Sequence, residues 1–103
     1  MNLILTIITA WLACQLVKII ISRKTKAFWQ LGGMPSSHAA LVGALATAIT
    51  IQEGYNSTAA VISYVLAAIV IHDALHIRKH HNLTEITAGL IIGLITAVIL
   101  QAL

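Results

Sequence analysis

The sequence predicts an all-α integral membrane protein, a single domain over residues 1–103 formed by a bundle of four transmembrane helices. Hydrophobic residues make up 59% of the chain and charged residues only 9%, whereas a soluble domain carries roughly 25% charged residues. The mean hydropathy is +0.96. This composition excludes an ordinary soluble domain, a disordered chain and a nucleic-acid-binding protein, because too few polar residues are present to cover a water-exposed surface.

Four apolar runs account for the four predicted helices. Each approaches the roughly 20 residues that a helix needs to cross a bilayer core, and helices satisfy the backbone internally where a lone strand cannot. The second run is short and reaches spanning length only with the three polar residues 36–38 added. The runs are Leu3 to Ile21, Ala39 to Ile51, Ser57 to Ile71 and Thr84 to Leu103.

Helix-start residues precede three of these runs. The two serines after Pro35 suit the start of the second helix, because proline is tolerated at the beginning of a helix and serine is a good N-cap. Asn56 or Ser57 can cap the third helix. Asn82, with Glu85 three residues later, resembles a capping box at the start of the fourth helix.

The basic residues predict the orientation in the membrane. Lysine and arginine are enriched in cytoplasmic connections, and here they flank only the first and third connections, whereas the second contains Glu53. We therefore expect a multi-pass protein of the cell membrane with both termini outside and its titratable groups on the cytoplasmic face. The basic residues are Lys18, Arg23, Lys24, Lys26, Arg78 and Lys79.

Two rows of small residues predict close helix contacts. Gly89 and Gly93 form one row, and Ala39, Gly43 and Thr47 form another at the same spacing. Such rows let helices approach closely in lipid. We expect them to allow self-association into a homo-oligomer through the glycine-containing faces, although small residues are also common in membrane helices without that role.

The segment from Gly32 to His38 is a candidate phosphate site. Two glycines allow a tight turn, and Ser36 and Ser37 open a helix whose free N–H groups and dipole attract an anion. His38 follows as a candidate proton donor. A loop with a serine N-cap and an interfacial histidine explains the same residues without a ligand.

Two further clusters carry ionisable groups at the ends of the apolar runs. His81 and Glu85 share one side of a helical start, so the carboxylate can orient the imidazole as in activated nucleophiles, and Arg78 offers a planar fork for phosphate oxygens. Alternatively, Glu85 only caps the helix and Arg78 only marks topology. The other cluster can ligate a metal, although its aspartate is better explained by pairing with Arg78, Lys18 or a histidine. Its members are His72, Asp73 and His76.

These motifs, in this order, give the chain a family resemblance. It resembles the divergent branch of the type 2 phosphatidic acid phosphatase superfamily, whose most distinctive motif is similar to Gly32–His38. The other matching elements are Gln15-Leu-Val-Lys18, followed by Arg23 and Lys24, then Asp73-Ala-Leu-His-Ile-Arg78, and His81-Asn-Leu-Thr-Glu85-Ile with Gly89 and Gly93.

The resemblance implies a reaction and the residues that carry it out. It implies that His81 is the nucleophile, that Glu85 orients it and that His38 is the acid, in a reaction that uses no metal or other cofactor. Only Lys79 and His80 separate Arg78 from His81, so His80 is an alternative nucleophile. The implied phosphate-binding residues are Lys18, Lys24, Ser36, Ser37 and Arg78, with Asp73 in support.

The expected function is that of a membrane-embedded lipid phosphate phosphatase. Its substrate would be a phosphomonoester such as phosphatidylglycerophosphate, cleaved through a phosphohistidine, and its partners the lipid phosphate and the bilayer. Two alternatives remain open: an isoprenoid diphosphate phosphatase, and a non-enzymatic membrane scaffold or subunit that binds metal or anionic lipid.

Overall fold

The computed structural model describes residues 2–23, 36–77 and 83–102. Within these ranges the chain is helical and contains no strand, which confirms the predicted all-α class. The four α-helices fall on the four apolar runs, with their ends shifted by a few residues. They are α1 Leu3–Ser22, α2 Ser37–Glu53, α3 Thr58–His72 and α4 Leu83–Ala102.

The helices form an integral membrane bundle. Three spans of 19, 19 and 20 residues, which cover α1, α3 with the turn that follows it, and α4, are long and apolar enough to cross a bilayer. With 17 residues, α2 is slightly shorter. It contacts each of the other three helices and makes its most extensive contact with α4. The short, small-residue helix therefore lies in the middle of the bundle.

Small residues explain why α2 and α4 pack so closely. A Cβ atom added to Gly89 would lie 2.2 Å from the Ser36 carbonyl oxygen, and one added to Gly93 would lie 2.4 Å from that of Ala40. Backbone atoms occupy the space that side chains would need. The predicted close approach of the two small-residue rows is therefore confirmed, and it occurs inside one chain; self-association stays a prediction.

Hydrogen bonds at the helix starts confirm two of the predicted caps. The Ser36 hydroxyl accepts from the Ala39 N–H at 3.2 Å, and the Ser57 hydroxyl accepts from the Ala60 N–H at 3.1 Å. Gly54, between α2 and α3, has a φ of 94°, which favours glycine. The predicted cap of α4, Asn82, lies outside the described residues.

The end of α3 differs from the sequence expectation. After His72 the chain continues as a π-helical turn, Asp73–Ile77, and the Asp73 N–H donates to the carbonyl oxygens of both Ile69 and Val70. Hydropathy and spacing do not distinguish such a turn from an α-helix. The turn contains the predicted site residue Asp73, and π-helical turns often occur at functional sites.

Candidate functional site

Two motifs that are remote in sequence meet at one end of the bundle. The backbone N–H of Ser36 donates to the backbone carbonyl oxygen of Glu85 at 3.1 Å, so the start of α2 lies directly against the first turn of α4. Lys18, near the end of α1, interacts electrostatically with Glu85. We call this end, marked by Lys18, Ser36, Ser37 and Glu85, the polar end.

The first turn of α2 has donors available to an anion. The Ser36 hydroxyl oxygen accepts from Ala39, yet its own hydrogen stays available to donate, since a hydroxyl is both donor and acceptor. The Ser37 and His38 N–H groups precede the first bonds within the helix, so no intrahelical partner exists for them. Capping and anion binding are thus compatible at this serine.

Lys18 is a buried lysine within a membrane helix. Only 2% of its surface is exposed, and Thr6 and Cys14 on the same face of α1 are fully buried. An ionisable side chain in such a place is costly unless it is paired, and it is typically functional. Glu85 lies within range of an electrostatic interaction with this lysine.

Gln15 belongs to the same surroundings, although the predicted site did not include it. Its side chain is 3% exposed, on the turn of α1 that precedes Lys18. The spacing of three residues between Gln15 and Lys18 places both on neighbouring positions of one helix face. That spacing was the signal available in the sequence for adding Gln15 to the site.

The remaining predicted residues divide into those with a described position and those without. His38 is exposed at the start of α2, and Asp73 is half-buried at the start of the π-turn. The rings of His72 and His76 lie 4.9 Å apart. The described ranges contain no group of three or more metal-ligating side chains. Lys24, Arg78, His80 and His81 lie outside the described residues.

Comparison with known proteins agrees with the sequence motifs. The model of the Divergent PAP2 family matches residues 1–85. A relative, the "Uncharacterized membrane protein YuiD" of Bacillus subtilis (strain 168), is 36% identical over 85 residues, which cover 75% of this chain and 52% of the relative. The chain thus spans about half the length of that relative. No solved structure matches the chain significantly.

The family match ends at Glu85, the residue whose carbonyl oxygen accepts from Ser36. It therefore includes α1 with Lys18, the start of α2, and the first turn of α4. On this match, and on the identity to a membrane protein, the chain belongs to the Divergent PAP2 family.

Proposed function

We propose that the protein is a membrane phosphatase that hydrolyses a lipid phosphomonoester through a phosphohistidine. The observation that carries the proposal is the backbone hydrogen bond between Ser36 and Glu85, 3.1 Å long. It joins the Pro-Ser-Ser-His segment to the His-x-x-x-Glu segment, which a single phosphate must contact together. The family's name supports the reaction class, and the choice of lipid is ours.

In this proposal the phosphate lies on the first turn of α2. The N–H groups of Ser37 and His38 and the Ser36 hydroxyl donate to its oxygens, and the dipole of α2 favours the negative charge. Arg78 and Lys24 supply positive charge from the adjoining segments. Fixed donors of this kind stabilise the charge on the equatorial oxygens during transfer.

The reaction proceeds in two displacements. An unprotonated nitrogen of His81 attacks phosphorus, the P–N bond forms, and the ester P–O bond breaks as His38 gives its proton to the departing alcohol. Water then attacks phosphorus while giving a proton back to His38, the P–N bond breaks, and inorganic phosphate leaves. Glu85 holds the second nitrogen of His81 throughout the cycle.

Lys18 acts on this chemistry through Glu85. A lysine that is 2% exposed contributes positive charge without competing water. Its electrostatic interaction with Glu85 favours one placement of the carboxylate, and it adds to the positive potential that attracts a phosphate. Lys18 is therefore a positioning residue, and its charge also favours binding of the phosphate.

The primary test is phosphate release by the purified protein from a short list of lipid phosphates, with a chelator present. We expect release from phosphatidylglycerophosphate or phosphatidic acid, loss of it in His81→Ala, and retention in the neighbouring variant His80→Ala. Isoprenyl diphosphate serves as the second substrate class. Lack of release from every substrate, or full release by His81→Ala, would refute the proposal.

The two serine caps provide a matched pair of variants. Ser36→Ala and Ser57→Ala each remove one capping hydrogen bond, of 3.2 and 3.1 Å, and each should cost roughly 1 kcal/mol of stability. Only Ser36 lies at the polar end, so only Ser36→Ala should also lower phosphate release. An equal loss of activity in both variants would mean that the effect is one of stability alone.

The orientation of the site is part of the proposal. The distribution of basic residues favours a cytoplasmic polar end and an α2–α3 connection outside. Tyr55 in that connection is 78% exposed. A Tyr55→Cys variant, made in a Cys14→Ala background, should react with an impermeant thiol reagent added to intact cells. Labelling only after lysis would reverse the orientation.

A further inference from the structure

A lateral groove runs along the bundle just below the polar end. It has a volume of about 320 Å³, within the range of roughly 300–1,000 Å³ typical of ligand pockets. We propose that it binds one acyl chain of the phospholipid whose phosphate lies at the polar end; the headgroup's identity rests on the proposed function. Its lining residues are Val42, Gly43, Ala46, Thr47, Ala67, Thr87, Leu90, Ile91 and Leu94.

The depth of the groove matches the acyl region of one leaflet. On α4 its lining runs from Thr87 to Leu94, and α4 begins at Leu83. At about 1.5 Å per residue, the groove covers depths of roughly 6 to 16 Å below the start of the helix. Half of a bilayer core is about 15 Å. A phospholipid with its headgroup at the polar end therefore has its chains at this level.

The groove opens sideways to lipid because of how the helices are arranged. The residues that α2 contributes to its lining include the small residues Gly43 and Ala46. On either side stand α3 and α4, which make at most slight contact with each other. Ile91 and Leu94 on the α4 side are each 48% exposed. Hydrocarbon from the surrounding leaflet can enter without crossing the polar end.

The polar side chain that α4 contributes to the groove, Thr87, does not need a water molecule as its hydrogen-bond acceptor. The Thr87 hydroxyl donates to the carbonyl oxygen of Leu83 at 2.8 Å, so its donor is satisfied within α4. Genuinely apolar cavities stay dry and take apolar guests. An acyl chain meets this surface without leaving that donor unpaired.

The size and lining of the groove suit a single hydrocarbon chain. Its volume of about 320 Å³ lies at the lower end of the ligand-pocket range. Seven of its nine lining residues are apolar.

The test uses a phosphatidic acid that carries a photoreactive diazirine midway along one acyl chain. The intact protein is placed in phosphatidylcholine vesicles with this probe, irradiated, and its labelled residues are mapped by mass spectrometry. We expect labelling concentrated on the groove lining. Ala67→Phe fills the groove and should reduce that labelling at least fivefold, while Ala68→Phe, at the neighbouring exposed position of α3, should not.

The outcomes separate this inference from the proposed phosphatase. Labelling spread evenly over the lipid-facing surface, or equal labelling in Ala67→Phe and the native protein, would overturn the groove as a chain site. Stronger capture of an isoprenyl phosphate probe would overturn the acyl chain as its occupant. Groove labelling without any phosphate release would support the acyl-chain site and refute the proposed phosphatase activity.

If the protein releases phosphate from phosphatidic acid, its selectivity for acyl-chain length gives a second measurement. The ratio of kcat/KM for a long-chain to a short-chain phosphatidic acid should fall at least tenfold in Ala67→Phe. It should stay at the native value in Ala68→Phe. An unchanged ratio in both variants would contradict a role of the groove in substrate binding.

Discussion

Substituting Gly89 by alanine tests the contact on which the polar end depends. The new Cβ atom would lie 2.2 Å from the Ser36 carbonyl oxygen, whereas ordinary contacts begin at 3.4 Å. The difference, about 1.2 Å, must come from separating two backbones, because the contacted atom is a backbone oxygen that no side-chain rotation can move. The same Ser36 backbone donates to Glu85 at 3.1 Å, so a separation of this size would stretch or break that hydrogen bond.

The expected cost is at the upper end of the roughly 1–3 kcal/mol seen for overpacking, with about 1 kcal/mol more for the lost hydrogen bond. Thermal unfolding in detergent, followed by the fraction that stays monodisperse, measures it. Gly43→Ala is the control, because the new Cβ atom would lie 3.2 Å from the end of the Leu90 side chain and no closer than 3.3 Å to any backbone atom. Equal melting temperatures for Gly89→Ala and Gly43→Ala would refute the argument from backbone contact.

Three further experiments probe contacts of the bundle. The losses of stability in Lys18→Met and Glu85→Gln should add up to more than the loss in the double variant, by a coupling energy of about 0.5–3 kcal/mol. Strict additivity would contradict an interaction between the two residues. Tyr64→Phe removes the hydroxyl contact with Thr50 between α2 and α3 and should cost about 0.6 kcal/mol in unfolding assays without changing phosphate release. Gly54→Ala should lower the melting temperature by an amount equivalent to about 1–3 kcal/mol, since its φ of 94° disfavours a side chain although the space is open.

The helices and their starts were predictable because both depend on local sequence. Apolar runs locate membrane helices since the bilayer penalises any unsatisfied backbone, and serine before a run marks a cap, as Ser36 and Ser57 do. The spacing of Gly89 and Gly93 predicted a close helix contact, although it did not indicate that the partner would be α2.

Other features depend on relations between helices that no local pattern contains. The interaction of Lys18 with Glu85 follows from the rotation of α1 against α4. The lateral groove follows from the gap between α3 and α4, whereas the sequence offered its lining residue Gly43 only as a member of a row for close helix contact. The π-turn that begins at Asp73 requires only a shift of one hydrogen bond, a change too small for hydropathy to register.

The energetics of the polar end argue against a purely structural role. A buried ion pair is often no more stabilising than apolar residues of the same volume, and Lys18 stands in a helix where almost any apolar side chain would satisfy the bilayer. Stability alone therefore gives no reason for a lysine at this position. A site that attracts a phosphate does give one, because charges that are excluded from water act most strongly on what binds beside them. The helix start at Ser36 supplies the donors for such an anion at the same place, and the glycine contact between α2 and α4 fixes the distance between them.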